Sequence, residues 1–432
     1  MPFLVFFTVI ILIVVLVSII NDRYIKIPNE IAILIFTLFM SIILKIIDSF
    51  IEIEWVNSTI NSLKDFSFES YLLDGVLCFM LFAGASEVKF NKFSQNIKNI
   101  TILSFVSTAI SAFIYGLIFY LFSLLFKLDI GLWVCILLGT IIAPTDPIAA
   151  TGILSKLGMS KNLTTVIESE SLFNDGMGVI LFAFIKSIIT NIGTNIGIVL
   201  IKEIFGAILV ASIICFILIL LMKLSKKPIN HVLISVLAVS SSYVLCTLFD
   251  FSGCIASVLC GMIFSYYRHK NEKYFSLVDQ HNMYESFWRL IDSILNSALF
   301  VLIGLMFFKL DISYILFFIS ISAILSSFIS RFSGVSLPLC FFRGRRAPGG
   351  YNLLEYSSLM TWCALKGGLS LALVLSAQSI LSINENTILF SAVYITIVFT
   401  VIIQGLLTKR VYYGIERHKA LRIKKESDKE CV

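Results

Sequence analysis

Two stretches of the chain set carboxylates beside groups that can bind or brace them. One reads Gly139-Thr140-Ile141-Ile142-Ala143-Pro144-Thr145-Asp146-Pro147, the other Glu168-Ser169-Glu170-Ser171-Leu172-Phe173-Asn174-Asp175-Gly176. In the first, two prolines three apart remove backbone donors and break a helix around Asp146. In the second, i,i+4 spacing puts Ser171 with Asp175 on one helix face and Glu170 with Asn174 on a neighbouring one. One face can bind while the other braces. Two cations complete the set: Arg331, and Lys366 in Lys366-Gly367-Gly368, where paired glycines permit a second helix interruption.

The elements that must position these groups cross a membrane. Of 432 residues, 58% are hydrophobic and 14% charged, and the mean hydropathy is +0.96; a soluble domain carries roughly 25% charged residues. Apolar runs long enough to span the hydrocarbon layer recur at 2–20, 29–48, 71–88, 100–126, 131–155, 162–186, 196–222, 229–249, 252–267, 285–308, 312–342, 355–382 and 386–408. This predicts an all-α integral membrane protein of about thirteen transmembrane helices, with the fifth and twelfth interrupted. The first run lacks a basic leader and a small-residue cleavage site, so it is expected to be a retained helix. Residues 1–408 form the membrane domain and 409–432 a short, basic, solvated tail facing the lipid surface.

The net charge of +6 does not indicate nucleic acid, because the basic residues are placed by side. Of 33 Lys and Arg, 24 fall in the loops of one side and the tail, and five (Lys64, Lys127, Lys186, Lys202 and Lys309) on the other. The positive-inside rule then places the C-terminus in the cytoplasm and the N-terminus outside. Lys45 and Arg289, near helix ends, can snorkel. Arg331 and Lys366 cannot. The nine cysteines show no metal-ligand spacing and are expected to be packing residues. The four histidines fall at or beyond cytoplasmic helix ends, where solvated positions are expected.

At 1.5 Å rise per residue, Asp146 lies about 14 Å deep, Glu170 about 12 Å, Asp175 about 20 Å, and Arg331 and Lys366 about 17 Å. Ionisable groups at such depth mark an ion or substrate pathway. Three carboxylates against two cations leave a surplus anion, which suits a cation or a proton. Two interrupted helices, one in each half, are the pointer to an inverted-repeat transporter whose site lies where they cross. In such a crossing Asp146 would offset the positive half-helix N-termini, and Lys366 the negative C-termini.

On these residues the chain resembles the NhaP-like and NHE-like monovalent cation:proton antiporters over nearly its full length. Thr145-Asp146-Pro147 looks like that family's TDP element, and Glu170-Ser171-Leu172-Phe173-Asn174-Asp175 is similar to its ESLFND signature. Weaker matches follow at Phe79 to Val88, Ser252 to Gly261, Phe300 to Leu305, Ile329 to Arg331, Leu365 to Gly368 and Val398 to Leu407. The resemblance implies a homodimer in a bacterial plasma membrane. Each protomer would have a core bundle around spans 4–6 and 11–13 moving against a scaffold of the rest. It implies Asp146 and Asp175 as ion ligands, Ser171 and the carbonyl of Thr145 as neutral oxygen ligands, and Glu170 paired with Arg331, with Glu170 counted among the carboxylates of the site. Asn174 stands where electrogenic relatives have a second aspartate, which favours one-for-one exchange. Lys366 stands where the family usually has arginine; it keeps the charge but loses the fork of donors.

The chemistry expected is competition for a shared carboxylate. Sodium prefers hard oxygen ligands; burial favours the protonated acid and a bound cation the ionised one. Sodium is the expected cargo, with lithium or potassium as alternatives, and no cofactor or nucleic acid is called for. Readings from other classes are a passive cation channel and an intramembrane aspartyl protease. The protease reading lacks its Gly-x-Gly-Asp element.

Overall fold

In lipid the backbone must satisfy its own hydrogen bonds within the spanning segment, which leaves helices as the element for apolar runs of this length. The computed structural model describes residues 3–50, 71–88, 90–146, 159–190, 196–271, 275, 282–343 and 348–430, and all regular elements among them are helical. In chain order the α-helices are α1 (Phe3–Ile20), α2 (Asn29–Phe50), α3 (Leu77–Glu87), α4 (Phe90–Thr101), α5 (Thr108–Phe126), α6 (Leu132–Ile142), α7 (Lys161–Ile189) and α8 (Ile196–Leu224). There follow α9 (Pro228–Leu248), α10 (Gly253–Lys270), α11 (Met283–Leu305), α12 (Tyr314–Arg343), α13 (Leu353–Trp362), α14 (Gly368–Ser376), α15 (Ile383–Val398) and α16 (Gly405–Glu430). A described helical segment overlies each of the thirteen predicted ranges; residues 147–155 of the fifth lie outside the described residues. By length and composition nine described helical stretches can cross a membrane, and Leu77–Glu87, Leu132–Ile142 and Gly368–Ile380 are shorter apolar helices.

Large apolar side chains point outward, as expected where lipid is the solvent: Phe205, Leu209 and Phe216 of α8 are exposed, whereas Ser235 and Ser242 of α9 are buried. Helices close on one another through small residues, because van der Waals contact between backbones replaces the hydrophobic drive available in water. At the α5–α6 crossing a Cβ on Gly139 would lie 2.0 Å from the Ala112 carbonyl oxygen, and one on Gly116 would lie 2.5 Å from Ile136 Cα. Only glycine fits either place. The fourth span is entered ten residues before its predicted start, since α4 packs Phe93 onto Phe173 of α7 with ring centroids 6.0 Å apart.

The twelfth predicted range is interrupted as expected, and the fifth loses its helix within the described residues. α6 ends at Ile142, and the chain runs unwound through Asp146. α13 ends at Trp362, and α14 begins at Gly368. The backbone groups freed at the second break find partners on a π-helical turn, Phe399–Gln404, between α15 and α16. Gln404 Nε2 donates to the carbonyls of Thr361 (3.1 Å) and Trp362 (2.6 Å), and Thr400 Oγ1 accepts from the amide of Lys366 (3.1 Å).

Two expectations from sequence need correction. His231 is fully buried, with Nε2 2.8 Å from the Ser225 carbonyl and its ring edge-on to Phe275; the helix start folds over it. The stretch after Thr408 is not a free tail. Helix α16 passes through that boundary and docks on Glu355, a buried carboxylate at the N-terminus of α13 that forms a capping box with Asn352. Arg422 Nη2 lies 3.0 Å from Glu355 Oε2 and donates to the Gly350 carbonyl at 2.7 Å; His418 Nδ1 lies 2.8 Å from Glu355 Oε1. Tyr351 donates to Glu416, and Lys419 Nζ stands 3.8 Å from the Tyr351 ring centre. A buried carboxylate needs such partners. Hydrogen bonds to a charged group contribute about 1.5–3 kcal/mol. Arg422→Ala is therefore expected to speed amide exchange across residues 409–425 at least about tenfold, read by hydrogen–deuterium exchange in detergent or nanodiscs; unchanged protection would refute the docking.

Candidate cation site

The two unwound stretches meet. The Asp146 amide donates to the Leu365 carbonyl at 2.8 Å in an antiparallel bridge, which satisfies two groups that neither broken helix can pair. Lys366, 3% exposed, reaches across this contact. Its Nζ donates to the carbonyls of Pro144 (3.2 Å) and Ala143 (3.4 Å), the latter being the C-cap of α6. A positive charge there offsets the negative end of the half-helix, and a compact ammonium with three donors suits two converging carbonyls. On the other side an ideal Cβ on Gly367 would lie 2.8 Å from Asp146 Oδ2, so the carboxylate rests against the N-cap of α14. Both helix-end offsets expected from sequence are present.

Helix α7 locks onto this crossing through Asn174. Its amide oxygen accepts from the Thr145 amide (3.2 Å), and its Nδ2 donates to Thr145 Oγ1 (2.7 Å) and to Glu170 Oε1 (3.0 Å). Ser171 donates to the Thr145 carbonyl, bringing together the hydroxyl and carbonyl that sequence reading paired. Glu170, 1% exposed, is held by Arg331 of α12, whose Nη2 lies 3.0 Å from both carboxylate oxygens. Ser104, on the π-helical turn Ile102–Ser107, donates to the Glu170 carbonyl at 3.1 Å.

Of the five charged groups predicted at the midplane, three are thus occupied with one another or with backbone: Glu170 with Arg331, and Lys366 with carbonyls. Asp146 and Asp175 both line a cavity of about 300 Å³. Thr145 lines it with them, whereas Glu170, Ser171, Asn174, Arg331 and Lys366 are not among the lining residues. Among the described residues no side chain hydrogen-bonds to Asp175. One wall is formed by α3 and α11, the other by the end of α6, by α7 and by α14.

The cavity also holds polar groups that sequence reading did not assign: Glu87, Glu168, Asp292, Asn296 and Ser370. The signal for two of them was present. Asp292 and Asn296 stand i,i+4 within the tenth span, about 14 Å and about 20 Å from the start of α11, and belong in the same depth count as Asp146 and Asp175.

Removing one partner of a buried pair leaves an uncompensated charge, at about 3–5 kcal/mol. Arg331→Gln should therefore lower the thermal unfolding midpoint strongly. Glu170→Gln combined with Arg331→Gln should recover part of that loss; a double variant no more stable than Arg331→Gln would show that the pair is not the brace.

Comparison with known proteins shows the family and the fold. The model of the transmembrane sodium/hydrogen exchanger family matches residues 8–413. The Na(+)/H(+) antiporter NhaP of Pseudomonas aeruginosa is 29% identical over 419 residues, covering 92% of this chain and 95% of its own. The Na(+)/H(+) antiporter NhaH of Halobacillus aidingensis is 29% identical over 331 residues, covering 74% of this chain and 76% of its own. The structure of the sodium proton antiporter MjNhaP1 from Methanocaldococcus jannaschii superposes with a TM-score of 0.72 at 20% identity, covering 95% of this chain and 98% of the other, which is a likeness of fold. The chain is a multi-pass membrane transporter, not an enzyme, and belongs to the sodium/hydrogen exchanger family.

Proposed function

We propose that this protein exchanges Na+ for H+ across a bacterial plasma membrane, one for one, by letting the two ions compete for Asp146 and Asp175. The observation that carries the reading is the shared cavity. Asp146 and Asp175 both line it, while Glu170 is held by Arg331 and Lys366 by backbone carbonyls. Thr145 supplies neutral oxygen at the cavity wall, and Ser171 reaches the ion by breaking its bond to the Thr145 carbonyl. Hard oxygen ligands of this kind suit an alkali cation. A vacated carboxylate in a low-dielectric site takes a proton, and an arriving cation releases it. Coupling then needs no ATP. The relatives named as Na(+)/H(+) antiporters support sodium as the cargo.

Electroneutrality rests on Asn174. Its amide is hydrogen-bonded through both oxygen and nitrogen and carries no titratable proton, so the site holds one exchangeable charge beyond its resting balance. The cavity between α3 and α11 on one side and α6, α7 and α14 on the other supports a core bundle that moves against a scaffold. The protein works as a homodimer among membrane lipids, with its N-terminus outside and its C-terminus in the cytoplasm.

In proteoliposomes carrying a pH dye, a pulse of Na+ should drive proton flux that Asp175→Asn and Asp146→Asn reduce to background; persistent flux in Asp175→Asn would sink the assignment. A Li+, Na+, K+ series over a range of pH reads the preferred ion. If one net charge crossed per cycle, a clamped potential would act with about 2.3 kcal/mol per 100 mV. Electroneutral exchange predicts a rate that changes less than about twofold over that range, and a steep voltage dependence would reject it.

A further inference from the structure

We infer that the cavity carries a second monovalent-cation site on its opposite wall, formed by Asp292 and the amide oxygen of Asn296 on α11 and faced by the hydroxyl of Ser370 on α14. The orientation of Asn296 is set by its neighbours. Its Nδ2 donates to both the carbonyl and the carboxylate Oδ1 of Asp292, each at 2.9 Å, so the nitrogen is engaged and the oxygen is the free end. Asn296 is 2% exposed, it lines the cavity, and its Oδ1 has no hydrogen-bond partner. Ser370 is 1% exposed, lines the same cavity, and its Oγ is likewise without a partner. Buried oxygens are normally satisfied, and an unsatisfied pair on the wall of a polar cavity calls for a cation or water as the missing neighbour. α11 and α14 meet here: an ideal Cβ on Gly368 would lie 2.4 Å from Leu299 Cδ1, one helical turn from Asn296.

The donor set selects the ligand. One carboxylate with an amide oxygen and a hydroxyl is an all-oxygen, singly charged environment, which matches an alkali cation. Among the described residues no group of three His, Cys, Asp or Glu stands together, as a divalent metal would favour. Position gives the role. Asp292 is about 14 Å along α11 from its first residue, and Asp175 about 21 Å along α7 from its own, while Glu87 at the exposed end of α3 marks the cavity mouth. Asn296 is about 20 Å along α11, so the second site spans the depths of Asp146 and Asp175 and faces them across the cavity. It holds a second, partly dehydrated cation beside the exchange site. The inference rests on the proposed exchange and deepens it by adding a neighbouring cation on the opposite wall.

Equilibrium binding of 22Na+ to the purified full chain at alkaline pH tests it. The wild type should bind two ions at saturation, Asp175→Asn one, and Asn296→Leu one. Asn296→Asp, which keeps an oxygen at the same place, should retain two. Asp292→Asn gives a second route to the single-ion state should Asn296→Leu fail to fold. In transport, Asn296→Leu should raise the Na+ KM at least about fivefold, and Asn296→Asp should restore it. Wild type binding a single ion that Asp175→Asn abolishes would overturn the second site and leave the exchange proposal standing. Wild type binding none and exchanging none would overturn both.

Discussion

Everything at the centre of this protein depends on the meeting of two unwound backbone stretches inside a solvent that offers no hydrogen bonds. Breaking a helix in hydrocarbon frees amides and carbonyls that must be paired within the protein. The pairing is met by specific residues: the Asp146 amide with the Leu365 carbonyl, Lys366 on Ala143 and Pro144, Gln404 on Thr361 and Trp362, and Thr400 on the Lys366 amide. The positions of Asp146 and Thr145 follow from this pairing. The site is first a solution to a backbone problem, and the carboxylates take the places which that solution leaves open.

Charge is handled in the same way. A buried ion pair adds little net stability and is severe when broken, so Glu170 with Arg331 is best understood as a fixture of shape. Through Asn174, which bonds both Glu170 and Thr145, the pair orients the helix that carries Asp175.

Much of this was legible in the chain because lipid makes the informative residues costly. Pro144, Pro147 and Gly367-Gly368 announced the breaks, and Asp146, Asp175, Glu170, Arg331 and Lys366 stood out as charges too deep to snorkel. The offset of half-helix ends by Asp146 and Lys366 followed from the helix dipole alone. What escaped notice did so for physical reasons. Thr400 and Gln404 are neutral, and neutral polar residues in a spanning run carry no signal until the carbonyls they cap are located. Asp292 sits in a span opened by polar residues and reads as interfacial unless its depth is counted. The docking of Arg422 on Glu355 joins residues 67 positions apart, which local pattern cannot reveal. His231 lies at a helix start, where exposure is the ordinary outcome and here is not the actual one.

The docked C-terminal helix has a mechanical consequence. α13 is tied at its inner end by Gln404 and at its outer end by Arg422 and His418, and all three belong to one continuous helical run from Phe399 to Glu430. A half-helix pinned at two points to the same rod cannot tilt or slide alone without losing one set of bonds. Any displacement of the broken span is therefore shared by the last one, and the break at 363–367 keeps its shape while it travels, as a bracket does when the beam it is bolted to is moved.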